Sequence, residues 1–331
     1  MHVGITFDLR DAYLLQGYGE EETAEFDRPE TILAMETALR ALGHRTDRIG
    51  SARELVPRLA RGDRWDIVFN IAEGLHGFGR QALVPALLDA YGLAYTFSDP
   101  LALSVMLHKG LAKRVVRDQG IRTPDFAVIE TLADLERVDI AYPLFVKPVA
   151  EGTSKGISAA SKVAGRSDLA SVCARLLTQF RQPVLVEAFC PGREFTVGIV
   201  GTGARARALG AMEILVEEGS EAGIYSYENK KLFDERVRAR LAKDPTAVAA
   251  MDAALAAWRA LDGRDAGRID LRCDADGHVS FLEANPLAGL SPTHSDLPLL
   301  GRIVGMSYEE LIEAILVSAI SRMEVRGNPA P

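Results

Sequence analysis

Two short strands joined at an Asp-Gly dipeptide constrain the fold of this chain more than any other feature. They read "GRIDLRCDADGHVSFLEAN". Asp276-Gly277 is the pair favoured in a two-residue type I′ hairpin loop. Counting outward from that loop places Asp270 opposite Glu283. Two positions farther, Arg268 lies opposite Asn285, and because side chains alternate along a strand, all four project from one face.

Two carboxylates, an amide and a guanidinium on one face are suited to holding Mg²⁺ against a phosphate. Mg²⁺ prefers oxygen ligands and commonly takes one or two carboxylates together with substrate phosphates and water. The alternative is a surface ladder of cross-strand ion pairs, each worth a few tenths of a kcal/mol. A three-residue loop with a bulge would shift the register and weaken the metal-site interpretation.

Composition excludes several classes of function. The chain has 331 residues, of which 48% are hydrophobic and 25% charged, enough for two or three globular domains. A net charge of −8 argues against a nucleic-acid partner. The sequence has neither a signal-peptide pattern nor an apolar run long enough to span a membrane, so we expect a cytoplasmic protein. Cys173, Cys190 and Cys273 lie far apart without a CxxC pair, which predicts reduced structural thiols.

The pattern of apolar runs changes along the chain. Over the first hundred residues, short runs such as "WDIVFNI" alternate with amphipathic stretches such as "PETILAMETALRALG", which is typical of a parallel sheet covered by helices. From about residue 105 strand-like runs dominate, which indicates a second α+β unit. The long acidic loop at 9–28 is interpreted either as a solvated loop or as a lid or substrate-facing segment.

Two further segments are suited to nucleotide binding. "FVKPVAEGTSKGIS" places a lysine at a strand end before a turn rich in glycine and hydroxyls, which exposes backbone N–H groups to an anion; the alternative is a polar hairpin. "VLVEAFCPGREFTV" places a short apolar segment between two glutamates. The free backbone groups of such a segment can flank a planar base, and a carboxylate beyond it can bind ribose hydroxyls; the alternative is a plain hairpin.

In this order and spacing, these segments resemble those of the D-alanine–D-alanine ligase family of ATP-grasp enzymes. "LHKGLAKRVVRDQGIRTPDF", "YSYENKKL" and "GLSPTHSDLP" also match, and the resemblance covers most of residues 65–310. It implies an α/β and α+β fold of three domains, with ATP between the last two. These are an N-terminal parallel-sheet domain at 1–104, a central lid domain at 105–190 and a C-terminal domain at 191–325.

The resemblance also implies the residues of the site. ATP would contact Lys109, Lys147, Glu187, Phe189, Cys190, Glu194, Lys230 and Leu282. Two Mg²⁺ ions, with Mn²⁺ as an alternative, would be held by Asp270, Glu283 and Asn285. Catalysis would depend on Arg268, Lys230, Thr153, Ser154 and Gly289, the two hydroxyl residues lying in a loop that closes over the γ-phosphate.

The chain departs from the family pattern where substrate is chosen. "GFGRQA" stands in place of the usual "GEDG", Lys231 in place of a tyrosine, and "NPLAG" in place of "NTSPG". The family's first-domain glutamate has two candidate counterparts, Glu25 and Asp27. The residues expected to contact substrate are His76, Lys231, Glu25, Asp27, Ser295 and Leu297.

The resemblance therefore implies an ADP-forming carboxylate–amine ligase that joins two amino acids through an acyl phosphate. Its partners would be small amino-acid substrates, with neither nucleic acid nor membrane, and it would be a homodimer. D-Alanine is the default substrate, and a different amino acid or small carboxylate is an alternative. A non-catalytic ATP-binding module is a further alternative, and a carboxylase ranks last. "THSD" is not interpreted as a Ser-His-Asp triad, because the three triad residues are rarely adjacent in sequence.

Overall fold

A three-stranded parallel sheet forms the N-terminal part of the chain, in a computed structural model that describes residues 1–216 and 237–326. In the order β2-β1-β3, its strands are β1 (His2–Thr6), β2 (Arg45–Gly50) and β3 (Ile67–Asn70). The accompanying helices are α1 (Arg10–Leu15), α2 (Pro29–Ala41), α3 (Ala52–Ala60) and α4 (Leu83–Ala90). The alternation of strand and helix predicted for the first hundred residues is confirmed.

A four-stranded antiparallel sheet follows, in the order β4-β7-β5-β6. Its strands are β4 (Phe126–Ile129), β5 (Leu144–Pro148), β6 (Lys162–Val163) and β7 (Val184–Ala188). Helix α7 (Arg166–Phe180) packs on this sheet through Leu169, Cys173 and Leu176, which are buried with Leu144 and Val146. Helices α5 (Pro100–Leu107) and α6 (Lys109–Asp118) precede the sheet and pack instead against the C-terminal part of the chain.

The third sheet is antiparallel, in the order β10-β9-β8-β11-β12. Its strands are β8 (Glu194–Val200), β9 (Arg207–Val216), β10 (Val237–Ala242), β11 (Ala266–Cys273) and β12 (Val279–Asn285). The helices of this part are α8 (Pro245–Ala260), α9 (Asp296–Ile303) and α10 (Tyr308–Arg326). Within the described ranges, no helix combines the length and the apolar character needed to cross a bilayer.

The loop of the β11–β12 hairpin differs from the prediction. The N–H of Asp274 donates to the carbonyl of His278 at 2.9 Å, so the loop holds three residues and ends at Gly277 with φ +83. The predicted two-residue type I′ turn is therefore wrong. The Asp274 carboxylate accepts the backbone N–H groups of Asp276 and His278 at 3.0 and 2.8 Å, which stabilises the longer loop.

A bulge restores the predicted register. Leu271 pairs with Phe281 whereas Asp270 pairs with Glu283, so Leu282 is left without a partner on β11. The extra residue in the loop shifts the strand pairing by one position, and the extra residue in β12 shifts it back. The predicted pairs, Asp270 with Glu283 and Arg268 with Asn285, are therefore confirmed.

One hydrophobic core joins the two ends of the chain. Ile5 and Met35 of the N-terminal part share a buried cluster with Leu290, Leu297 and Ile315 of the C-terminal part. Helix α10 packs against α2 along the same seam. The wall formed by residues 286–297 is thereby fixed against the N-terminal sheet, so the loops of both parts face one another.

Candidate active site

A cavity of about 610 Å³ opens where the three parts of the chain meet. The N-terminal part contributes Glu25, Asp27, Glu73 and Gln81 to its lining, the segment after β5 contributes Gly152 and Thr153, and the C-terminal part contributes Arg268, Glu283, Asn285 and Gly289. A small molecule in this cavity would contact all three parts.

The polar face of the hairpin forms one end of the cavity. The Arg268 guanidinium is ion-paired with Asp296 and lies 3.4 Å from the Asp270 carboxylate. Asp270 accepts hydrogen bonds from the Thr196 hydroxyl and from the Asn285 side-chain amide, each at 2.9 Å. The residues predicted to share a face are therefore brought together.

The donor set on this face fits a hard divalent cation. Burial raises the pKa of Asp270, and Glu283 and Asp296 raise it further, although Arg268 opposes them. Asp270, Glu283 and Asp296 thus outnumber the one guanidinium, and Lys109 and Lys147 supply the remaining positive charge. Asp270 and Glu283 supply carboxylate oxygens and Asn285 an amide oxygen, which are the ligand types that Mg²⁺ prefers.

Two lysines converge on the same face. The Nζ atoms of Lys109 and Lys147 lie 3.5 and 3.6 Å from one Glu283 oxygen, and that of Lys147 lies 2.9 Å from Glu187. Burial lowers the pKa of Lys147, but Glu187 and Glu283 raise it by more, so the ammonium stays charged. Two buried ammonium groups beside the carboxylates are suited to binding a phosphate chain.

Lys113 is a member of this network that the sequence analysis missed. It is fully buried on α6, and its Nζ lies 2.7 Å from the Glu187 carboxylate. It donates to the Thr123 hydroxyl at 2.8 Å and to the Phe281 carbonyl at 3.3 Å. Its spacing of four residues from Lys109 on an amphipathic helix was the available signal, because such residues lie on one face.

The predicted base and ribose residues lie beside the cavity and are not part of its lining. The Phe189 ring is covered by the Lys162 ammonium at 4.3 Å and by the Arg272 guanidinium at 5.3 Å. Arg272 also lies 3.4 Å from the Glu194 carboxylate. Burial raises the pKa of the Cys190 thiol to about 11, which disfavours the thiolate.

The predicted phosphate loop has an unusual backbone. Thr153 and Ser154 are consecutive residues with positive φ, +51 and +56, a backbone conformation that residues other than glycine rarely adopt. The N–H of Gly152 donates to Glu25 Oε1 at 2.7 Å, and the Lys155 ammonium lies 2.9 Å from the same oxygen. A carboxylate from the 9–28 loop therefore holds the loop in place.

Glu25 is neutralised on a second side by Arg80, with which it forms an ion pair. Arg80 also donates to the Ala150 carbonyl at 3.1 Å, so the guanidinium connects the N-terminal part to the phosphate loop. Burial raises the pKa of Glu25, but Arg80 and Lys155 outweigh it and hold the pKa well below its usual range. Glu25 is therefore ionised and fully paired.

Comparison with known proteins identifies the family. Residues 115–317 match the family described as D-ala D-ala ligase C-terminus. The D-alanine–D-alanine ligase of Bordetella petrii is 40% identical over 254 residues, which are 75% of this chain and 75% of that protein. The chain belongs to the D-alanine–D-alanine ligase family.

Two further comparisons extend over nearly the whole chain. The D-alanine–D-alanine ligase of Novosphingobium aromaticivorans is 31% identical over 323 residues, 94% of this chain and 96% of that protein. The structure of D-alanine–D-alanine ligase from Bacillus anthracis complexed with ATP matches with a TM-score of 0.74 at 19% identity, over 99% of this chain and all of that one. The ATP-grasp fold and the ATP-dependent, amide-forming ligase class predicted from sequence are confirmed.

Charged and polar contacts hold the segment "GFGRQA", which departs from the family pattern. Arg80 and Gln81 begin a short 3₁₀ helix where D-alanine ligases usually carry "GEDG". Both side chains are buried and line the cavity; Arg80 pairs with Glu25, and Gln81 donates to Glu73 at 2.6 Å. Glu73 was not among the predicted residues, because it lies in no motif and only the tertiary structure brings it to the cavity.

The remaining predicted residues fall into three groups. Gly289, Ser295 and Leu297 line the cavity, and a Cβ added to Gly289 would lie 2.6 Å from the Ser295 hydroxyl, so a larger residue there would require the Ser295 side chain to move. His76 is exposed, with its ring 6.3 Å from that of Tyr18, and is not among the residues that line the cavity. Two further candidates, Lys230 and Lys231, lie outside the described residues.

Proposed function

We propose that this ligase joins two amino acids by activating the carboxylate of the first with ATP. The observation that carries the proposal is the convergence of Lys109 and Lys147 on Glu283, on the hairpin face that also presents Arg268. That face offers cations for phosphate, oxygen ligands for a metal and a guanidinium for an oxyanion within one cavity. A protein that only bound nucleotide would not need all three.

Nucleotide and metal would be held by the residues carried over from the family. Glu187, Phe189, Cys190 and Leu282 would surround the base, Glu194 would bind the ribose, and Lys109, Lys147 and Lys230 would bind phosphate. Asp270, Glu283 and Asn285 would hold two Mg²⁺ ions, with Mn²⁺ as an alternative, whose contribution is to neutralise phosphate charge.

The chemistry would proceed in two displacements. A substrate carboxylate oxygen attacks the γ-phosphorus of ATP, giving an acyl phosphate and ADP. The amine of the second substrate then attacks the acyl carbon, the phosphate leaves, and the amine loses a proton as the amide forms. Arg268 and the N–H of Gly289 would stabilise the oxyanion, and Asp270 and Asp296 would hold the guanidinium in place.

The loop that contains Thr153 and Ser154 would exclude water from the acyl phosphate. Its position next to the cavity, its two residues with positive φ and its attachment to Glu25 support this role. Lys155 strengthens the attachment by pairing with both Glu25 and Glu151. The loop can therefore close only when the 9–28 segment is in place.

D-Alanine is the default substrate, and the buried Arg80 and Gln81 favour a different amino acid. We propose in addition the domain boundaries 1–104, 105–190 and 191–325, a homodimer and a cytoplasmic location. The boundaries are supported by the three sheets, each of which falls within one range.

ADP release over a panel of amino-acid pairs tests the function. We expect ATP turnover that requires Mg²⁺ and a pair of amino acids, with amide product by mass spectrometry, and a loss of at least about a hundredfold in Asp270→Ala. ATP binding without turnover of any pair, unaltered in Asp270→Ala, would identify a nucleotide-binding module. Ordinary turnover of D-alanine alone would contradict a changed substrate.

A further inference from the structure

Asp296 is a buried carboxylate in the wall of the cavity. It is 8% exposed, lies between Ser295 and Leu297, and is ion-paired with the Arg268 guanidinium. It is also the first residue of α9. A carboxylate in the first turn of a helix is stabilised by the partial positive charge of the helix N-terminus. Asp296 therefore satisfies two positive groups at once, the guanidinium and the end of the helix.

Metal binding would leave this pairing in place. Asp270, which lies 3.4 Å from the Arg268 guanidinium, is a proposed Mg²⁺ ligand, and so is Glu283. Asp296 lies on α9, outside the hairpin, and is not part of the proposed metal set. With the metal site filled, Asp296 would therefore be the carboxylate that balances Arg268.

The acceptor amine must reach the acyl carbon beside Arg268. In a free α-amino acid the carboxylate carbon is two bonds from the amine nitrogen, at roughly 2.5 Å. The acceptor's own carboxylate would therefore enter the part of the cavity that holds the Asp296 carboxylate. Two carboxylates there repel each other, and burial strengthens the repulsion because water screens it less.

The other arginine and lysine residues of the cavity lining are Arg28, Arg80 and Lys109. Arg80 pairs with Glu25, and the Lys109 ammonium lies 3.5 Å from Glu283. Within residues 1–216 and 237–326, Arg28 forms no ion pair, but it is exposed, at the N-cap of α2. The buried cations of the lining therefore already have carboxylate partners.

We propose that Asp296 makes the acceptor site select an amine whose neighbouring carboxyl group is blocked, as an amide or an ester, over the free amino acid. Such an acceptor brings no negative charge to Arg268 and Asp296, and its carbonyl oxygen can still accept a hydrogen bond from the guanidinium. The product has no free carboxylate, so it cannot serve as the donor in a second round. This inference rests on the proposed function and narrows its second substrate.

Competition between two acceptors tests the inference. D-Alaninamide has no carboxylate to activate, so it reacts only as an acceptor. The donor is the most active amino acid of the panel, and the competing acceptors, at equal concentration, are D-alanine and D-alaninamide, or the most active free acceptor and its amide. Mass spectrometry gives the ratio of amidated to free product, which equals the ratio of the kcat/KM values of the two acceptors. The amine of an amide is less basic than that of the free amino acid, and this difference cancels when variants are compared.

The decisive variant is Asp296→Asn, and Arg28→Gln tests the exposed cation. The matched control is Glu36→Gln, a buried carboxylate of α2 that pairs with Arg40 and Arg48. We expect wild type to form more amidated than free product. Asp296→Asn should lower that ratio by about ten- to a hundredfold, because it removes a like charge from beside the acceptor carboxylate. Arg28→Gln and Glu36→Gln should keep the wild-type ratio.

The inference is overturned if wild type prefers the free amino acid, or if Asp296→Asn leaves the product ratio unchanged. It is also overturned if Arg28→Gln raises the ratio, since Arg28 would then hold the acceptor carboxylate. Calorimetric titration of both acceptors, with Mg²⁺ and a non-hydrolysable ATP analogue, provides a second readout. If turnover is absent but the amide binds more tightly than the acid, and Asp296→Asn removes that difference, the inference stands and the proposed reaction fails. If neither acceptor binds or reacts, both fail.

Discussion

The two ends of the cavity differ in whether their carboxylates form ion pairs among the described residues. Next to the hairpin end, outside the lining of the cavity, the buried carboxylate Glu187 is held between Lys113 and Lys147, at 2.7 and 2.9 Å. At the N-terminal end, Glu73 is buried and Asp27 is half-buried, and neither forms an ion pair among the described residues. A buried charge with its partners is part of the folded framework, whereas a buried charge without them is a place for a ligand. This contrast distinguishes the residues proposed to bind the nucleotide from those proposed to select the substrate.

The largest expected effect lies at the hairpin end. Lys113→Met keeps the length of the side chain and leaves Glu187 with one cation in place of two. We expect the free energy of unfolding to fall by about 3–5 kcal/mol, the usual cost of removing one member of a buried ion pair, because Lys147 alone then compensates Glu187. Chemical denaturation measures it. Arg137→Ala, which removes an exposed pair with Asp134, is the control, with an expected change of at most about 1 kcal/mol; equal effects would contradict the contrast.

A second variant at this end affects chemistry more than stability. Arg268→Lys keeps a positive charge near Asp270 and Asp296 but loses the planar fork of donors. We expect kcat to fall by about 10²–10³-fold, the usual loss when one oxyanion donor is removed, with little change in the KM of ATP. Steady-state kinetics on the best amino-acid pair measures this, and a loss confined to the KM of ATP would move Arg268 from acyl transfer to nucleotide binding.

The same contrast explains how much could be predicted from the sequence. The face shared by Asp270 and Glu283 followed from counting along one hairpin, because register is a local property; it survived a wrong turn type only because the bulge at Leu282 compensates. The contacts at the N-terminal end could not be predicted by counting along a strand, since Arg80 and Lys155 pair with Glu25 through long-range packing with no fixed spacing. Family resemblance did not help there, because Arg80 and Gln81 lie in "GFGRQA", the segment that stands in place of the usual "GEDG".

A titration should distinguish the N-terminal end from the rest of the molecule. The pKa of Glu73 is raised from the ordinary value of 4.5 to about 8, so the unfolded chain releases this proton at lower pH than the folded protein does. Stability conferred by the protonated form is full below about pH 4.5 and is lost as the pH rises toward 8. Relative to Glu73→Gln, the wild-type free energy of unfolding should decline by roughly 3 kcal/mol between pH 4.5 and 7. Parallel pH profiles for the two proteins would contradict this.

The smallest effect is expected at the link between the two ends. Glu25→Gln keeps the shape of the side chain but removes the charge that binds Arg80 and Lys155, so the loop containing Gly152 should close less firmly over the acyl phosphate. Losing one charge-assisted contact corresponds to about tenfold. We therefore expect roughly a tenfold fall in amide formed per ADP released, because water reaches the acyl phosphate before the amine does. Quantifying both products in one reaction measures the ratio. An unchanged ratio with a raised KM of the amino acid would instead make Glu25 a direct substrate ligand, and the distinction drawn between paired and unpaired carboxylates would then be lost at this position.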